Sequence, residues 1–408
     1  MTKYVVLRDA NAVWRNAPLS PSGRRPMGPA ILGEETIGTS LPPDPMLEVG
    51  DMSPADMRSA MRDPSILGMA RVMPTRLIAP EPLDDADAAA ATPAWGITAV
   101  GADTSSATGA GVRVAVLDTG IDTDHPAFAG VSLITRDFSG SGIEDANGHG
   151  THCAGTVFGR DVDGTRIGVA RGVTTALIGK VLGDDGSGSS DMLFDAMRWA
   201  ASEGSQVISM SLGFDFPGFA EDLIRDGLPE LLATSIALEG YRTNLRMFDA
   251  LMDMFRAQAA FDGGTVVVAA AGNESRREID PQFEVSASVP AAAFGVISVG
   301  ALGQTPNGLN VAEFSNTNPV IAAPGVGIVS AKTGGGLRPL RGTSMACPHV
   351  AGVAALWWEA QAQTGRPRNA AAVTAQLRAT ATRTGLAPAV DLADVGHGLV
   401  QSPQPLVG

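Results

Sequence analysis

The chain has 408 residues, 44% hydrophobic and 18% charged, a composition typical of a globular protein with a large core and not of a disordered chain. Its formal net charge of -14 argues against binding to nucleic acid or to an anionic membrane, since either partner needs a basic protein surface. No apolar run is long enough to span a membrane, and the N-terminus lacks the apolar core of a secretory signal.

The first eighty residues predict a small α+β unit. YVVL (4–7) and residues 46–49 favour short strands, SPADMRSAM from Ser53 predicts a helix with a capping serine, and the alternation in ILGMARVMPTRLI from Ile66 favours strand. Residues 15–45 are rich in Pro, Gly and Ser, which predicts an inserted loop. Residues 81–94 are acidic and rich in Ala and Pro, as is typical of an exposed, cleavable linker.

From Trp95 onwards, apolar runs alternate with helical segments such as SDMLFDAMRWAASEG. This alternation predicts an α/β domain over residues 95–408, with a mostly parallel central sheet and helices on both faces. The predicted strands are VRVAVL (112–117), ALIGKVL (176–182), VISMSL (207–212), TVVVAAA (265–271) and VISVGA (296–301). Residues 219–260 predict a long helical insertion, for which a lid, a partner surface and a neutral elaboration all remain open.

Reactive side chains occur at three places where predicted strands end or helices begin. Asp118 ends the strand of VRVAVLDTGID, His149 lies in the Gly-rich turn of DANGHGTHCAGT, and Ser344 begins a helix in RGTSMACPHVAG. In parallel sheets such groups gather at the carboxyl ends of the strands, and an acid, an imidazole and a hydroxyl are the parts of an activated serine nucleophile. Cys347 and His349 follow on the same helix at spacings that do not allow either to serve Ser344 easily.

DTGID, HGTHCAG and GTSMACPHVAG resemble, in this order, the three catalytic motifs of the subtilisin-like serine proteases (subtilases, peptidase family S8). The resemblance extends over roughly residues 95–399 and implies a subtilisin-like three-layer α/β fold and serine endopeptidase activity, with no cofactor in the chemistry. It implies that Asp118 supports the imidazole, His149 is general base and then general acid, and Ser344 attacks the scissile carbonyl. AAAGNES resembles the family's oxyanion motif, so Asn273 is expected to donate its amide to the developing oxyanion, alongside the Ser344 backbone N–H.

The resemblance also implies where a polypeptide substrate binds. KVLGDDGSGS and SMSLG resemble two strand edges that pair with an extended peptide, and small residues there let the two backbones approach to about 4.8 Å. Ala271 and Gly272 are expected to line one wall of the primary specificity pocket. The expected edge residues are Gly186, Ser187, Gly188, Ser211, Leu212 and Gly213.

Residues 1–80 resemble the family's propeptide, a small α+β domain that assists folding and blocks the active site until it is cleaved. This implies a monomeric zymogen that cuts itself between Ala79 and Trp95 and has its own propeptide as a partner. The lack of a visible leader favours cytoplasmic residence or non-classical export, whereas the family resemblance favours an extracellular location.

Two further patterns contain residue types that bind metal ions. His149, His152 and Cys153 form an HxxHC pattern that would suit zinc, but the pattern lacks the HExxH spacing, and the family motif gives His152 a packing role. Asp161 and Asp163 lie in a Gly-containing loop where the family resemblance leaves room for a structural calcium ion.

A catalytically silent scaffold of the same fold, which would bind peptides through the same edges, is the alternative to an enzyme. The residues required for chemistry argue against this alternative because all of them are intact. They are Asp118, His149, Ser344 and Asn273.

Overall fold

The computed structural model describes residues 2–12, 43–83, 94–363 and 368–405. Most of the predicted loop over 15–45 and of the predicted linker over 81–94 lies outside the described residues. Within the described ranges, no helix combines the length and the apolar character needed to cross a membrane.

The N-terminal unit is an antiparallel three-stranded sheet, in the order β2-β1-β3, with one short helix. The helix begins where the sequence predicts, because Ser53 and Asp56 form a reciprocal capping box at its first turn. The elements are β1 (Thr2–Asp9), β2 (Pro45–Met52), α1 (Pro54–Ala60) and β3 (Ile66–Arg71).

The segment ILGMARVMPTRLI, which the sequence predicts as strand, is divided between two strands. The first part is β3, which ends at Arg71, and the second belongs to a separate antiparallel sheet in the order β10-β4-β8. Met73 lies between them, fully buried, with its N–H donating to Ser190 Oγ at 3.1 Å, and Pro74 has no N–H with which to continue the first ladder. The second sheet contains β4 (Pro74–Leu77), β8 (Ser187–Ser189) and β10 (Leu212–Phe214).

An eight-stranded sheet forms the centre of the remaining chain and is parallel except for β13. Its order is β6-β7-β5-β9-β11-β12, with β13 and β14 both pairing with β12. The five predicted strands are confirmed as β5, β7, β9, β11 and β12. The strands are β5 (Arg113–Asp118), β6 (Ser132–Asp137), β7 (Thr175–Lys180), β9 (Val207–Met210), β11 (Val266–Ala270), β12 (Ile297–Thr305), β13 (Gly308–Val311) and β14 (Ile321–Pro324), beside a hairpin of β15 (Ile328–Ala331) and β16 (Leu337–Leu340).

Alternating residues of the central strands divide the core into two layers. Val114 and Val116 pack with helices α3 and α7 on one face, while Ala115 and Leu117 pack with α4 and α6 on the other. The three-layer α/β fold expected from the sequence is therefore confirmed. The helices are α2 (Trp95–Ala99), α3 (His149–Phe158), α4 (Ser190–Ser202), α5 (Phe216–Arg225), α6 (Glu230–Asp262), α7 (Thr343–Gln363), α8 (Ala370–Thr380) and α9 (Leu392–Val395), with a 3₁₀ turn at Pro126–Phe128.

The helical insertion predicted over residues 219–260 contains two helices, α5 and α6. They are separated at Gly227, which has a positive φ of 94°, and at Pro229, which has no N–H for helix continuation. The 33-residue helix α6 packs against both the central sheet and the N-terminal unit. Its buried Asn244 donates to the Arg71 carbonyl at 2.8 Å, which ties the insertion to the end of β3.

Phe248 supplies the main aromatic anchor of α6 and provides a test of this packing. It is fully buried, with its ring centroid 4.6 Å from that of Phe194 and 5.9 Å from that of Phe214. We expect Phe248→Ala to lower the free energy of unfolding by about 3–5 kcal/mol, measured by urea denaturation, because a cavity replaces the ring. Leu231→Ala on the same helix, where the side chain is 84% exposed, should change it by less than about 0.5 kcal/mol. Equal losses in the two variants would contradict the packing.

Candidate active site

Asp118 and His149 form a buried acid–imidazole pair at the carboxyl end of β5. Asp118 is the last residue of β5 and His149 is the first residue of α3, with 2.8 Å between Asp118 Oδ1 and His149 Nδ1. Both side chains are only 1% exposed. An ionised carboxylate can only accept hydrogen bonds, so the imidazole proton lies on Nδ1 and Nε2 keeps its lone pair. The pair therefore has the geometry of a general base and its orienting acid.

Asp145, which the sequence analysis did not single out, fixes this pair. Its Oδ1 accepts hydrogen bonds from Thr119 Oγ1 and from the Gly148 N–H, each at 2.8 Å. Its Oδ2 accepts from the N–H and Oγ1 of Thr151, at 2.8 and 2.6 Å. These partners adjoin the acid in β5 and the imidazole in α3, so one carboxylate joins the two segments. The sequence feature that could have identified Asp145 is its position at the start of DANGHGTH, the motif that contains His149.

Ser344 is the second residue of α7 and is linked to the same pair through Cys153. Its hydroxyl donates to the Ile78 carbonyl at 2.7 Å. Cys153 bridges the two groups, with its Sγ 3.7 Å from His149 Nδ1 and 3.4 Å from the Ser344 carbonyl oxygen. The three residues predicted as a triad are therefore gathered in one place, with the serine hydroxyl bonded to another segment of the same chain.

Asn273 presents its amide to that same segment. Its Nδ2 donates to the Ala79 carbonyl at 2.9 Å, while its Oδ1 accepts from the Thr343 N–H at 2.9 Å and from Thr343 Oγ1 at 2.8 Å. Because Thr343 supplies two donors, the amide oxygen must face it and the amide N–H must face the carbonyl. Thr343 is a second residue that the sequence analysis missed, and its signal is the hydroxyl that directly precedes the serine in GTSMA.

The six predicted edge residues flank β4 on both sides. The Leu77 N–H donates to the Gly186 carbonyl at 2.9 Å, and the Ile78 N–H donates to the Ser211 carbonyl at 3.2 Å. The strand register pairs Thr75 with Gly188, Arg76 with Ser187 and Gly213, and Leu77 with Leu212. Residues 74–78 thus occupy the place that the sequence predicts for an extended peptide.

Ala271 and Gly272 lie directly before Asn273, at the end of β11. Ala271 is fully buried, and its N–H donates to the Val299 carbonyl at 3.0 Å. Gly272 has a φ of 116°, and a Cβ at this position would lie 2.3 Å from Asn316 Nδ2. The backbone beside the Asn273 amide is therefore held by the core and tolerates no side chain at Gly272.

Cys347 and His349 contact other parts of the core, and neither bonds to the Ser344 hydroxyl. The Cys347 thiol contacts the Met210 carbonyl at 3.4 Å, and burial raises its pKa to about 12. His349 Nδ1 lies 2.8 Å from the Met345 carbonyl oxygen, and burial lowers the pKa of this imidazole to about 4. Both groups are uncharged near neutral pH.

His152, the second histidine of the HxxHC pattern, contacts the backbone of the β15–β16 hairpin. His152 Nε2 faces the carbonyl oxygens of Ile328 and Arg338, at 3.0 and 3.2 Å, and burial lowers its pKa to about 3. The described residues place Asp118, not His152, together with His149 and Cys153. Burial also raises the Cys153 pKa well above its usual value, which disfavours the thiolate that zinc requires.

Asp161 and Asp163 are exposed residues of the loop that follows α3. Asp161 forms an ion pair with Arg171 at 3.4 Å, and Asp163 occupies a tight turn with a φ of 48°. Neither belongs to a group of three metal-ligating side chains in the described part of the chain.

The profile of the subtilase family matches residues 109–398, which is more than half of the chain. The chain belongs to the subtilase family. It is 34% identical over 285 residues to Subtilisin-like protease 6 of Arthroderma benhamiae, an alignment that covers 64% of this chain and 57% of that protein. It is 33% identical over 268 residues to M-protease of Shouchella clausii (strain KSM-K16), an alignment that covers 64% of this chain and 58% of that protein. It is 34% identical over 268 residues to Subtilisin Savinase of Lederbergia lenta, with 64% of this chain and 82% of that protein covered.

The chain thus spans less than two thirds of the length of the first two of these relatives. In this subtilase the matched range contains Asp118, His149, Asn273 and Ser344. The N-terminal unit and β4 precede the matched range, although β4 lies between two of its strands.

The buried histidines give the subtilase a testable pH dependence. An unfolded histidine titrates near pH 6.5, whereas His152 and His349 remain neutral in the fold until about pH 3 and about pH 4. The unfolded state therefore binds more protons below pH 6.5, so the stability present above that pH is lost as the pH falls. Each histidine should contribute about 1.2 kcal/mol to the loss of stability between pH 6 and 5.

We expect His349→Gln to remove one histidine's share of this slope of stability against pH. Urea unfolding at several pH values, with both proteins in a Ser344→Ala background, measures the slope. If the free energy of unfolding falls with pH at the same slope in the two proteins, His349 does not titrate differently in the folded and unfolded states.

Proposed function

We propose that this subtilase is a serine endopeptidase made as a self-processing zymogen. The observation that carries the proposal is the course of residues 74–81 through the site. The segment is extended, its carbonyls accept from Ser344 Oγ and Asn273 Nδ2, and the Glu81 N–H donates to the Arg341 carbonyl at 2.9 Å on the far side of the serine. Any extended polypeptide can use the same backbone contacts once this segment leaves, so polypeptides are the proposed substrates.

The geometry supports an acyl-enzyme mechanism. His149 Nε2 takes the Ser344 hydroxyl proton as Oγ bonds to the scissile carbonyl carbon, and the imidazolium that forms is stabilised by Asp118. The oxyanion accepts from Asn273 Nδ2 and from the Ser344 N–H, which lies in the first turn of α7, where N–H groups have no helical acceptor. The C–N bond breaks as His149 protonates the leaving nitrogen. Water then cleaves the ester by the same proton route. No cofactor enters these steps, and one chain supplies every group.

The alternative function, a silent peptide-binding scaffold, leaves the buried pair without a purpose. Binding through strand edges needs only backbone groups. A carboxylate and an imidazole buried to 1% exposure next to a serine cost desolvation energy that a scaffold gains nothing from.

Covalent labelling separates the two functions. A fluorophosphonate reacts with a serine only when a neighbouring base activates its hydroxyl. We expect the processed wild-type protein to gain the mass of one adduct on Ser344, and the Ser344→Ala protein to gain none. His149→Ala, which keeps the hydroxyl but lacks the base, should label at a small fraction of the wild-type rate. If folded, processed wild-type protein takes up no adduct, the scaffold function is supported instead.

We further propose that processing cleaves the Ile78–Ala79 bond, one bond before the range expected from the sequence. The Ile78 N–H donates to the Ser211 carbonyl, and the Ile78 carbonyl accepts a hydrogen bond from Ser344 Oγ. The Asn273 amide donates to the next carbonyl, that of Ala79. Cleavage therefore requires the strand to shift until the Ile78 carbonyl takes the place of the Ala79 carbonyl at Asn273. The alternative bond, Ala79–Pro80, has a proline nitrogen as its leaving group, and a Cβ on Gly342 would lie 3.7 Å from the Pro80 Cα.

Intact-mass measurement of the products tests this assignment. The wild-type chain should yield a large product that begins at Ala79, and Ser344→Ala should stay uncut. Ala79→Pro, which places a proline nitrogen in the scissile bond, should block cleavage at this position, while Ala79→Gly should preserve it. A product that begins elsewhere, or processing that survives Ser344→Ala, would contradict the proposal.

A further inference from the structure

The helical insertion contributes a carboxylate to the edge of the peptide-binding strands. Asp215 lies between the end of β10 and the start of α5, and its side chain is 14% exposed. Its Oδ2 lies 2.6 Å from Arg76 Nε, so a charged group of the insertion contacts the strand that occupies the site.

The Asp215 carboxylate is held in one orientation. Its Oδ1 accepts from the Gly218 N–H at 3.0 Å and caps α5, which leaves Oδ2 for the guanidinium. A Cβ on Gly218 would lie 2.2 Å from Oδ2, so only glycine leaves room for the carboxylate here. The acceptor is therefore positioned before a strand arrives, which reduces the ordering cost of an ion pair.

A second carboxylate lies on the opposite edge. Asp185 accepts from the N–H and Oγ of Ser187, the residue that pairs with Arg76 on the β8 side. These hydrogen bonds from Ser187 are the main cause that lowers the Asp185 pKa, and the charge of Arg76 contributes to the same direction. Arg76 thus has an acidic group at each edge: Asp215 contacts its guanidinium, and Asp185 is bonded to the residue that pairs with it.

We propose that Asp215, assisted by Asp185, selects a basic side chain two residues before the residue whose carbonyl faces Ser344. Arg76 holds this position relative to Ile78, and its register is fixed by pairing with Gly213 and Ser187. A substrate strand that uses the same backbone pairs presents its own side chain to Asp215 at this position. The inference rests on the proposed peptidase function and adds a substrate class to it: extended polypeptides with Arg or Lys at this position.

Matched peptides test the selection. Fluorogenic substrates built on Thr-Arg-Leu-Ile, the sequence of residues 75–78, are compared with versions carrying Gln or Glu in place of Arg. With processed wild-type protein we expect kcat/KM to be about fivefold higher for Arg than for Gln, mainly through KM, because the ion pair forms in the bound ground state. The Glu peptide should be the poorest substrate, and 1 M salt should reduce the differences.

Two variants identify the group responsible. Asp215→Asn keeps an oxygen that can cap α5 but loses the charge, so the Arg-to-Gln ratio should fall to near one. Asp222→Asn removes an equal charge from the same helix, where Asp222 pairs with Arg225, and should leave the ratio as in the wild type.

Other outcomes overturn the inference in distinguishable ways. Equal kcat/KM values for the Arg and Gln peptides would refute the selection and leave the peptidase function intact. A ratio that falls equally in Asp215→Asn and Asp222→Asn would assign the preference to overall charge instead of to Asp215. If no peptide is cleaved and no fluorophosphonate adduct forms, the proposed function and this inference both fail.

Discussion

The buried carboxylate of Asp145 is the constraint on which the geometry of the site depends. It is 4% exposed, and an ionised group at that depth is stable only if its oxygens are fully hydrogen-bonded, as they are here by four donors. Those donors come from the turn after β5 and from the start of α3. The two segments approach so closely that a Cβ on Gly150 would lie 2.2 Å from the Gly120 carbonyl oxygen. Because both segments are anchored to one carboxylate, the acid and the imidazole have one relative position.

The strand that occupies the site is held from a different direction, by the helical insertion. Asn244 binds the carbonyl of Arg71 just before β4, and a Cβ on Gly240 would lie 2.9 Å from the Met73 sulfur. Asp215 then contacts Arg76 within β4. The insertion therefore bonds to the chain before and along the strand that enters the site. Of the roles that the sequence left open, a partner surface fits these contacts best, and the partner is the chain's own N-terminal unit.

The sequence predicts local features of this protein better than pairings between distant segments. Asp118, His149 and Ser344 each lie in a short motif whose residues set the local turn, so their meeting follows from the parallel sheet. The division of ILGMARVMPTRLI depends instead on Met73 and its bond to Ser190, 117 positions away, which no local pattern encodes. The contacts of His152 are a second example, because the carbonyl oxygens that face its Nε2 come from β15 and β16.

The Ser344 hydroxyl links the chemistry to the occupying strand through a single proton. A serine hydroxyl can donate only one hydrogen bond, and here the Ile78 carbonyl accepts it. The same proton must point at His149 Nε2 before the oxygen can act as a nucleophile. In the proposed zymogen, β4 therefore restrains the enzyme in two ways: it fills the substrate position, and it draws the proton away from the base. Cleavage requires the strand to shift so that Asn273 takes up the Ile78 carbonyl and the hydroxyl turns to His149. The hydrogen bonds that hold β4 against its two edges thus oppose the shift that starts the reaction.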